Sequence, residues 1–365
     1  MKWGEAVARQ AEAIREAGRW RAVRDLDARG PRGALAGVGP VTSFASNDYL
    51  GLTAHHAVVA AAHEALDRWG AGAGSARLIV GARPVHAELE TELAAWRSSE
   101  AAVLFPTGFA ANLGVLSTFG GPGVRVCSDE LNHASIIDGC RLSRAEVAVY
   151  RHVDLDHLAS LLAGAERAIV VSDSVFSMDG DVAPVDELAE LCASYHALLV
   201  LDEAHAVLGP RPDLSDVDAL RVGTLSKTLG SLGGFVAGPR AFVELLVNRA
   251  RSYIFTTAST PADSAAALAA LRVVCSPEGD ALVARLAGHV ESVAPGHPSP
   301  IVPVVLGDEQ RALGAAAALL EQGLLVPAIR PPTVPVGTSR LRVTLSAAHT
   351  DAEVGSLVAA LAAVR

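Results

Sequence analysis

Lysine is almost missing from this chain. It occurs twice in 365 residues, as Lys2 and Lys227, and arginine supplies the rest of the 30 basic side chains. Positive charge as a whole is short, with 40 Asp+Glu and a formal net charge of −10. That balance argues against bulk binding to nucleic acid or to an anionic membrane. No apolar run approaches the ~18–20 residues that cross a bilayer. The opening Met1-Lys2-Trp3-Gly4-Glu5 leads into a charged segment without an apolar signal core. Cysteine is scarce too. Cys127, Cys140, Cys192 and Cys275 lack the close spacing of a zinc or redox motif. They read as small buried hydrophobes in a reducing compartment. These absences lead us to expect a cytoplasmic protein without a metal site.

What is present is a globular composition: 50% hydrophobic and 19% charged residues, far too apolar for a disordered chain. At roughly 150 residues per domain the length suggests about two domains, enough to bury a core without staples. Residues 1 to about 28 show helical spacing among many charges, then break at Gly30-Pro31, which predicts a helical arm over 1–45. Helical periods follow at 54–69 and 86–98, around the run Gly70-Ala71-Gly72-Ala73-Gly74-Ser75. Short β-rich runs then alternate with helical segments, at 101–105, 124–128, 146–150, 168–172, 198–202, 221–225 and 234–238. That alternation predicts a mainly parallel seven-stranded sheet covered on both faces, in a large domain over 46–262. Beyond it, long Ala/Leu helices and strands at 301–306, 324–329 and 340–345 predict a smaller α/β domain over 263–365.

In such sheets ligands sit beyond the carboxyl ends of the strands. The run Leu198-Leu199-Val200-Leu201 ends in Asp202, with His205 three residues on. Twenty-five positions after Asp202, Lys227 stands in Thr224-Leu225-Ser226-Lys227-Thr228. In an arginine-dominated chain, an internal lysine suggests a position where the amine must lose its proton and form an imine. A surface lysine on a glycine-rich turn would leave the same trace. Asp at a strand end followed at a distance by Ser-Lys suggests pyridoxal 5'-phosphate (PLP), with Lys227 holding the aldehyde and Asp202 pairing with the pyridine nitrogen. In Phe105-Pro106-Thr107-Gly108-Phe109-Ala110-Ala111-Asn112, Gly108 allows close approach to a helix amino end suited to a phosphate. Thr224 and Ser226 could add hydroxyls. His133 follows another strand and could stack on a ring, or serve only structure. The acidic turn Asp173 to Asp181 has too few alternating oxygen ligands for calcium. In Arg340-Leu341-Arg342-Val343-Thr344-Leu345 the two arginines share one strand face, where one could clamp a carboxylate or both could form surface ion pairs.

Taken together these motifs resemble the α-oxoamine synthases, which are fold-type I PLP-dependent transferases. The resemblance runs from about residue 40 to the C-terminus. It rests on Ser46-Asn47-Asp48-Tyr49-Leu50-Gly51-Leu52, Gly108 to Asn112, Asn132-His133-Ala134-Ser135, Val175 to Asp181, Asp202-Glu203-Ala204-His205, the Lys227 loop, and Arg342 to His349. The run Ile329-Arg330-Pro331-Pro332-Thr333-Val334-Pro335 is similar to the branch that joins L-alanine to a pimeloyl thioester in biotin synthesis, carried on CoA or acyl carrier protein. A sister activity, such as glycine C-acetyltransferase, is the alternative. The resemblance implies that Lys227, His133, Asp202 and His205 are catalytic. It implies a cofactor cradle of Gly108, Phe109, Ser177 and Thr224, with Thr257 reaching a phosphate across a homodimer interface. It places Arg21, Asn47, His133, Thr333 and Arg342 at the substrates. The segment between His205 and Lys227 is shorter than usual for the family.

Overall fold

The computed structural model describes residues 2–364. Helix α1 (Trp3–Glu16) buries none of its residues, and Gly18, at φ +64, lies just beyond its end. The helical arm expected over 1–45 stops there. Residues 26–43 form an antiparallel meander instead: β1 (Leu26–Arg29), β2 (Arg32–Leu35) and β3 (Gly39–Ser43). Every residue of β1 is exposed, so its alternation presents no apolar face that a sequence pattern would show. Gly30-Pro31, which breaks a helix, here makes the hairpin turn between Arg29 and Arg32.

Helices α2 (His56–Trp69) and α3 (Pro84–Trp96) precede the large sheet. That sheet is built from β4 (Ala101–Phe105), α4 (Gly108–Phe119), β5 (Arg125–Asp129), α5 (Ala134–Ser143), β6 (Glu146–Tyr150), α6 (Leu155–Leu162), β7 (Ala168–Asp173), α7 (Val185–Ser194), β8 (Leu198–Asp202), β9 (Ala219–Thr224) and β10 (Gly234–Gly238). Its seven strands run in the order β4-β10-β9-β8-β7-β5-β6. All are parallel except β10, which is antiparallel to both neighbours. The expected mainly parallel sheet is therefore present. Successive residues of each strand feed opposite faces. Val126, Val171, Val200 and Val222 pack with α4 and α5, whereas Cys127, Val170, Leu199 and Leu201 pack with α6 and α7. Burial on both faces explains why these strands read as unbroken apolar runs.

The chain continues through α8 (Arg240–Arg249), α9 (Arg251–Ile254), α10 (Pro261–Val274) and α11 (Pro277–Val293). It then forms β11 (Ile301–Gly307), α12 (Glu309–Glu321), β12 (Leu324–Leu325), β13 (Ala328–Ile329), β14 (Ser339–Thr344) and α13 (Asp351–Val364). Strands β11, β14 and β13 make a second, antiparallel sheet. The strand expected at 324–329 is two short ones, because Pro327 has no N–H for a ladder. Strand β12 pairs in parallel with β3, so the meander belongs spatially with the C-terminal sheet.

Candidate active site

Because the strands of the large sheet are parallel, their carboxyl ends share one edge, and the loops there bring together residues far apart in sequence. Strand β8 delivers Asp202, which is 5% exposed. Its Oδ2 accepts from Asn112 Nδ2 at 2.7 Å and its Oδ1 from the Ala204 N–H at 2.9 Å. Strand β9 ends at Thr224, and the following turn brings Lys227 Nζ to 2.8 Å from His205 Nε2. The Tyr49 hydroxyl sits 2.5 Å from the other ring nitrogen, Nδ1. Burial pushes the Lys227 amine below its ordinary pKa, with Asp202 and Asp173 opposing and Arg342 adding to the shift. Burial, then the positive charges of Lys227 and Arg342, hold His205 well below the usual imidazole range. His205 is thus a neutral ring with a single N–H, so one of its two partners donates to it.

The β5–α5 turn positions His133. Its Nδ1 lies 2.7 Å from Ser135 Oγ and caps α5 by accepting from the Ser135 N–H. Its own backbone N–H donates to Asp173 Oδ2 at 2.8 Å. Asp173 stands beside Asp202 in the β7–β8 register. Burial first, and then the charge of Asp202, raise its carboxyl well above the ordinary range. The Asp173 N–H donates to Asn132 Oδ1 at 2.9 Å. With Asn132 Nδ2 donating to the Val171 carbonyl at 2.8 Å, the loop carrying His133 is stitched to β7 at three points. The Phe109 ring meets the His133 ring edge-on, with centroids 6.5 Å apart.

Thr107 caps α4 by accepting from the Ala110 N–H at 3.0 Å. The N–H groups of Gly108 and Phe109 make no hydrogen bond among the described residues. The hydroxyls of Thr224 and Ser226 lie 2.7 Å from each other, and a Cβ built on Gly108 would sit 3.4 Å from Thr224 Cβ. A Cβ on Gly234 would come within 2.4 Å of the Thr107 carbonyl, so this close approach of β10 requires glycine. Free amides at a helix amino end, facing two hydroxyls, have the chemistry to hold a phosphate.

The sequence left two arginines open on β14, and the structure separates them. Both are 5% exposed. Arg340 is neutralised by an ion pair with Asp179. Arg342 has no carboxylate partner among the described residues. Its Nε donates to the Ser177 carbonyl at 2.6 Å, Nη1 to Thr344 Oγ1 at 2.9 Å and Nη2 to Asn47 Oδ1 at 3.2 Å. A buried cation without a counter-ion is costly and leaves Arg342 suited to a substrate carboxylate. Ser177 enters through its backbone oxygen.

Arg21 and Thr333 lie farther out, 3.5 Å apart, in a cleft of about 660 Å³ with Trp20, Ile329 and Pro331. Neighbouring Arg19 and Arg330 both face Glu309, at 2.5 and 3.7 Å, whereas Arg21 has no carboxylate partner among the described residues. Thr257 is exposed and is not brought to Lys227 or Asp202 within this chain. It follows the exposed Phe255, and the next residue, Ala258, donates its N–H to the Ser75 carbonyl.

Sequence reasoning gave no role to Tyr49, Asn112, Ser135 or Asp173. Tyr49 and Asn112 lie inside recognised motifs, and Asp173 ends a strand as Asp202 does, which was the available signal. It also passed over His152, which joins Asp129 at 2.9 Å through Nδ1 and Asp181 at 2.6 Å through Nε2. Burial alone would lower this imidazole, but hydrogen bonds to the two carboxylates reverse that and raise it to about 10. Such a group stabilises fully below the ordinary value of 6.5, and its contribution is lost as pH rises through about 10. Asp181 is 42% exposed, so solvent screens its share. His152→Gln should cost about 1–3 kcal/mol in denaturant unfolding at pH 7. It should also flatten the decline of stability between neutrality and pH 10. An unchanged decline would assign it to another group.

A family model for aminotransferase class I and II matches residues 39–361. An 8-amino-7-oxononanoate synthase of Anaeromyxobacter dehalogenans (strain 2CP-1 / ATCC BAA-258) is 51% identical, covering 93% of this chain and 93% of that protein. The chain belongs to the 8-amino-7-oxononanoate synthase family, within aminotransferase class I and II. Among solved structures, SPT (serine palmitoyltransferase) with PLP internal aldimine matches with a TM-score of 0.91 at 29% identity, over 98% of this chain and 96% of that one. The 8-amino-7-oxononanoate synthase of Francisella tularensis matches with a TM-score of 0.73 at 27% identity, over 89% and 96%. The fold is thus that of fold-type I enzymes, shared by oxononanoate synthases and a relative with a different acyl chain. Among the described residues no helix is long and apolar enough to cross a membrane.

Proposed function

We propose that this chain is a PLP-dependent acyltransferase. It condenses L-alanine with a pimeloyl thioester, of CoA or acyl carrier protein, to give 8-amino-7-oxononanoate, CO2 and the free thiol, a step of biotin synthesis. The observation that carries the reading is the juxtaposition at one sheet edge of Lys227, its neighbour His205, and the buried carboxylate Asp202. Fold overlap alone does not choose the acyl donor, and the half-identical relatives support the pimeloyl branch. The thiols of Cys127, Cys140 and Cys192 are buried and unpaired, which suits a reducing cytoplasm, whereas Cys275, expected to be buried with them, is exposed.

Bound PLP supplies a carbonyl for the amino group and an electron-withdrawing ring. Asp202 would pair with the pyridine nitrogen and keep its proton in place. Gly108, Phe109, Thr224 and Ser226 would hold the phosphate, His133 would cover one ring face, and Ser177 and His205 would meet ring substituents. Arg342 and Asn47 bind the carboxylate of alanine. The Lys227 amine, with its pKa depressed by burial, takes the Cα proton as general base. The Cα electron pair then forms the C–C bond to the thioester carbonyl as the C–S bond breaks and the thiol leaves. Loss of CO2 returns an electron pair to Cα, which is protonated from Lys227. His133 would donate a hydrogen bond to the developing oxyanion.

Arg21, with no carboxylate partner among the described residues, is the candidate partner for the distal carboxylate of pimelate, and Thr333 lies beside it. A thiol-release assay crossing alanine, glycine and serine with pimeloyl, acetyl and palmitoyl thioesters tests the whole reading. Alanine with pimeloyl thioester should give the highest kcat/KM, with leakage to glycine, because one methyl is worth only about 1–3 kcal/mol. A better rate with glycine and acetyl-CoA would overturn the substrate assignment. Arg21→Ala should lower kcat/KM for the pimeloyl thioester by about 10- to 100-fold and leave the acetyl thioester nearly untouched.

The active form is a homodimer with shared sites. Support comes from the exposed Ile79 (74%) and Val80 (70%), on the turn 77–81 that contacts α9, and Phe255 (70%), two residues before Thr257, which together favour a partner surface. Thr257 of one subunit reaches the phosphate held by the other. Mixing a Thr257→Ala chain with a Lys227→Ala chain should then restore partial activity, since one site of the hybrid carries neither change. Full activity of a monomer in sedimentation would exclude this.

A further inference from the structure

Glycine at position 139 lets α5 settle directly on α4. A Cβ there would sit 2.7 Å from Leu116 Cδ1 and 3.2 Å from the Asn112 carbonyl. Ser135 stands one turn earlier on the same side of α5, and the close packing sets its hydroxyl against the Asn112 amide. Both residues are 1% exposed. Asn112 Nδ2 donates to Ser135 Oγ at 2.9 Å and to Asp202 Oδ2 at 2.7 Å, so both of its N–H groups are committed. The opposite orientation of the amide would set its carbonyl oxygen against the Asp202 carboxylate. The orientation present leaves Asn112 Oδ1 buried without a hydrogen-bond partner among the described residues, which is a standing cost to the fold. Apolar side chains of similar size would join the two helices without that cost.

The hydrogen bonds around Ser135 have one consistent direction. Its Oγ accepts from Asn112, so its single O–H is free to donate onward, to His133 Nδ1 at 2.7 Å. The Ser135 backbone N–H donates to the same nitrogen at 3.2 Å. Burial pushes the His133 imidazole below its ordinary range, against the pull of Asp202, so the ring is neutral and carries one proton. With Nδ1 accepting, that proton sits on Nε2, which has no partner among the described residues. Capping α5 needs only the backbone N–H; the hydroxyl and the amide add a link to Asp202. We propose that Asn112 and Ser135 are positioning residues, a hydrogen-bonded relay from Asp202 that holds His133 in the tautomer whose Nε2–H donates to the oxyanion forming on the thioester carbonyl. This rests on the acyltransferase reading above, and it assigns Ser135 to one step of it. Removal of the alanine Cα proton belongs to Lys227 and precedes the oxyanion, so that step does not use the Nε2 proton. Attack on the thioester does.

The test has two readouts on the PLP-loaded enzyme. The first is nitrogen NMR of isotope-labelled histidine, with the His133 signal identified by its loss in His133→Gln. It should show a neutral ring protonated on Nε2. A proton on Nδ1, or on both nitrogens at neutral pH, would overturn the relay, and this holds even should Ser135→Ala fail to fold. The second compares two rates in Ser135→Ala: turnover of alanine with pimeloyl thioester, and exchange of the alanine Cα proton in heavy water without thioester. Turnover should fall about 3- to 10-fold, as for one lost hydrogen bond, with exchange within about twofold of the unsubstituted enzyme. Equal falls in both rates would mean that Ser135 only supports the site as a whole, and no fall in turnover would mean that it does not position His133; either result overturns the proposal. Absence of alanine exchange in the unsubstituted enzyme would instead defeat the PLP reading beneath it.

Discussion

Lys227→Ala should lower turnover with alanine by about 10⁴-fold or more, the upper range for losing a positioned base, while the protein remains folded. Lys227→Arg should not rescue it, because a guanidinium does not give up its proton at any working pH. The chain offers few substitutes. Its other lysine, Lys2, is exposed at the start of α1, far along the chain from the strand ends. Lys227 is held by His205, and burial lowers its pKa against the opposing charges of Asp202 and Asp173. Borohydride added to the PLP-loaded enzyme should fix the cofactor on a single peptide, the one containing Lys227. Label on Lys2, or no label, would defeat the assignment. The Lys227→Ala protein should also lose the covalent attachment yet keep measurable cofactor affinity, since the cradle of Gly108, Phe109 and Thr224 is untouched.

The strand ends were legible because a parallel sheet covered on both faces writes its strands as apolar runs. Asp202 and Asp173 stand out at the ends of β8 and β7 for that reason, and Lys227 stands out by composition. The meander β1–β3 was not legible, since the exposed β1 has no apolar face and its glycines and proline read equally well as helix breakers. Nor could the pattern on β14 tell Arg340 from Arg342. Both alternate with Leu341 and Val343, and the distinction lies in Asp179, 161 residues from Arg340 along the chain. Tyr49 meets His205 across a separation of 156 residues, and the clamp of His152 on Asp129 and Asp181 likewise joins three separate loops. Such contacts are created by the topology and leave no local period. The short stretch after His205 was visible as a departure from the family, but only the fold shows that residues 211–218 of it line a cavity of about 1070 Å³.

Asp202→Asn should leave a folded protein that binds PLP more weakly and turns over about 10- to 1000-fold more slowly, the range expected when an opposite charge beside an ionisable nitrogen is removed. The substitution is not a clean charge deletion here. Asp202 accepts from two fixed donors, Asn112 Nδ2 on one oxygen and the Ala204 N–H on the other. An asparagine has one acceptor oxygen and one NH2 group, so one of these donors must face an N–H. That mismatch should cost about 1–3 kcal/mol in unfolding experiments. The charge change also propagates. Losing Asp202 removes a charge that favours protonated Lys227 and one that raises Asp173, so the lysine pKa should fall further and the Asp173 pKa should fall toward the ordinary range. The control is Asn112→Ala, which removes one donor but keeps the carboxylate. It should cost a similar amount of stability with a much smaller loss of turnover. Equal losses of turnover in the two variants would mean that geometry rather than charge is what Asp202 supplies. Near-normal turnover in Asp202→Asn would place the partner of the ring nitrogen elsewhere.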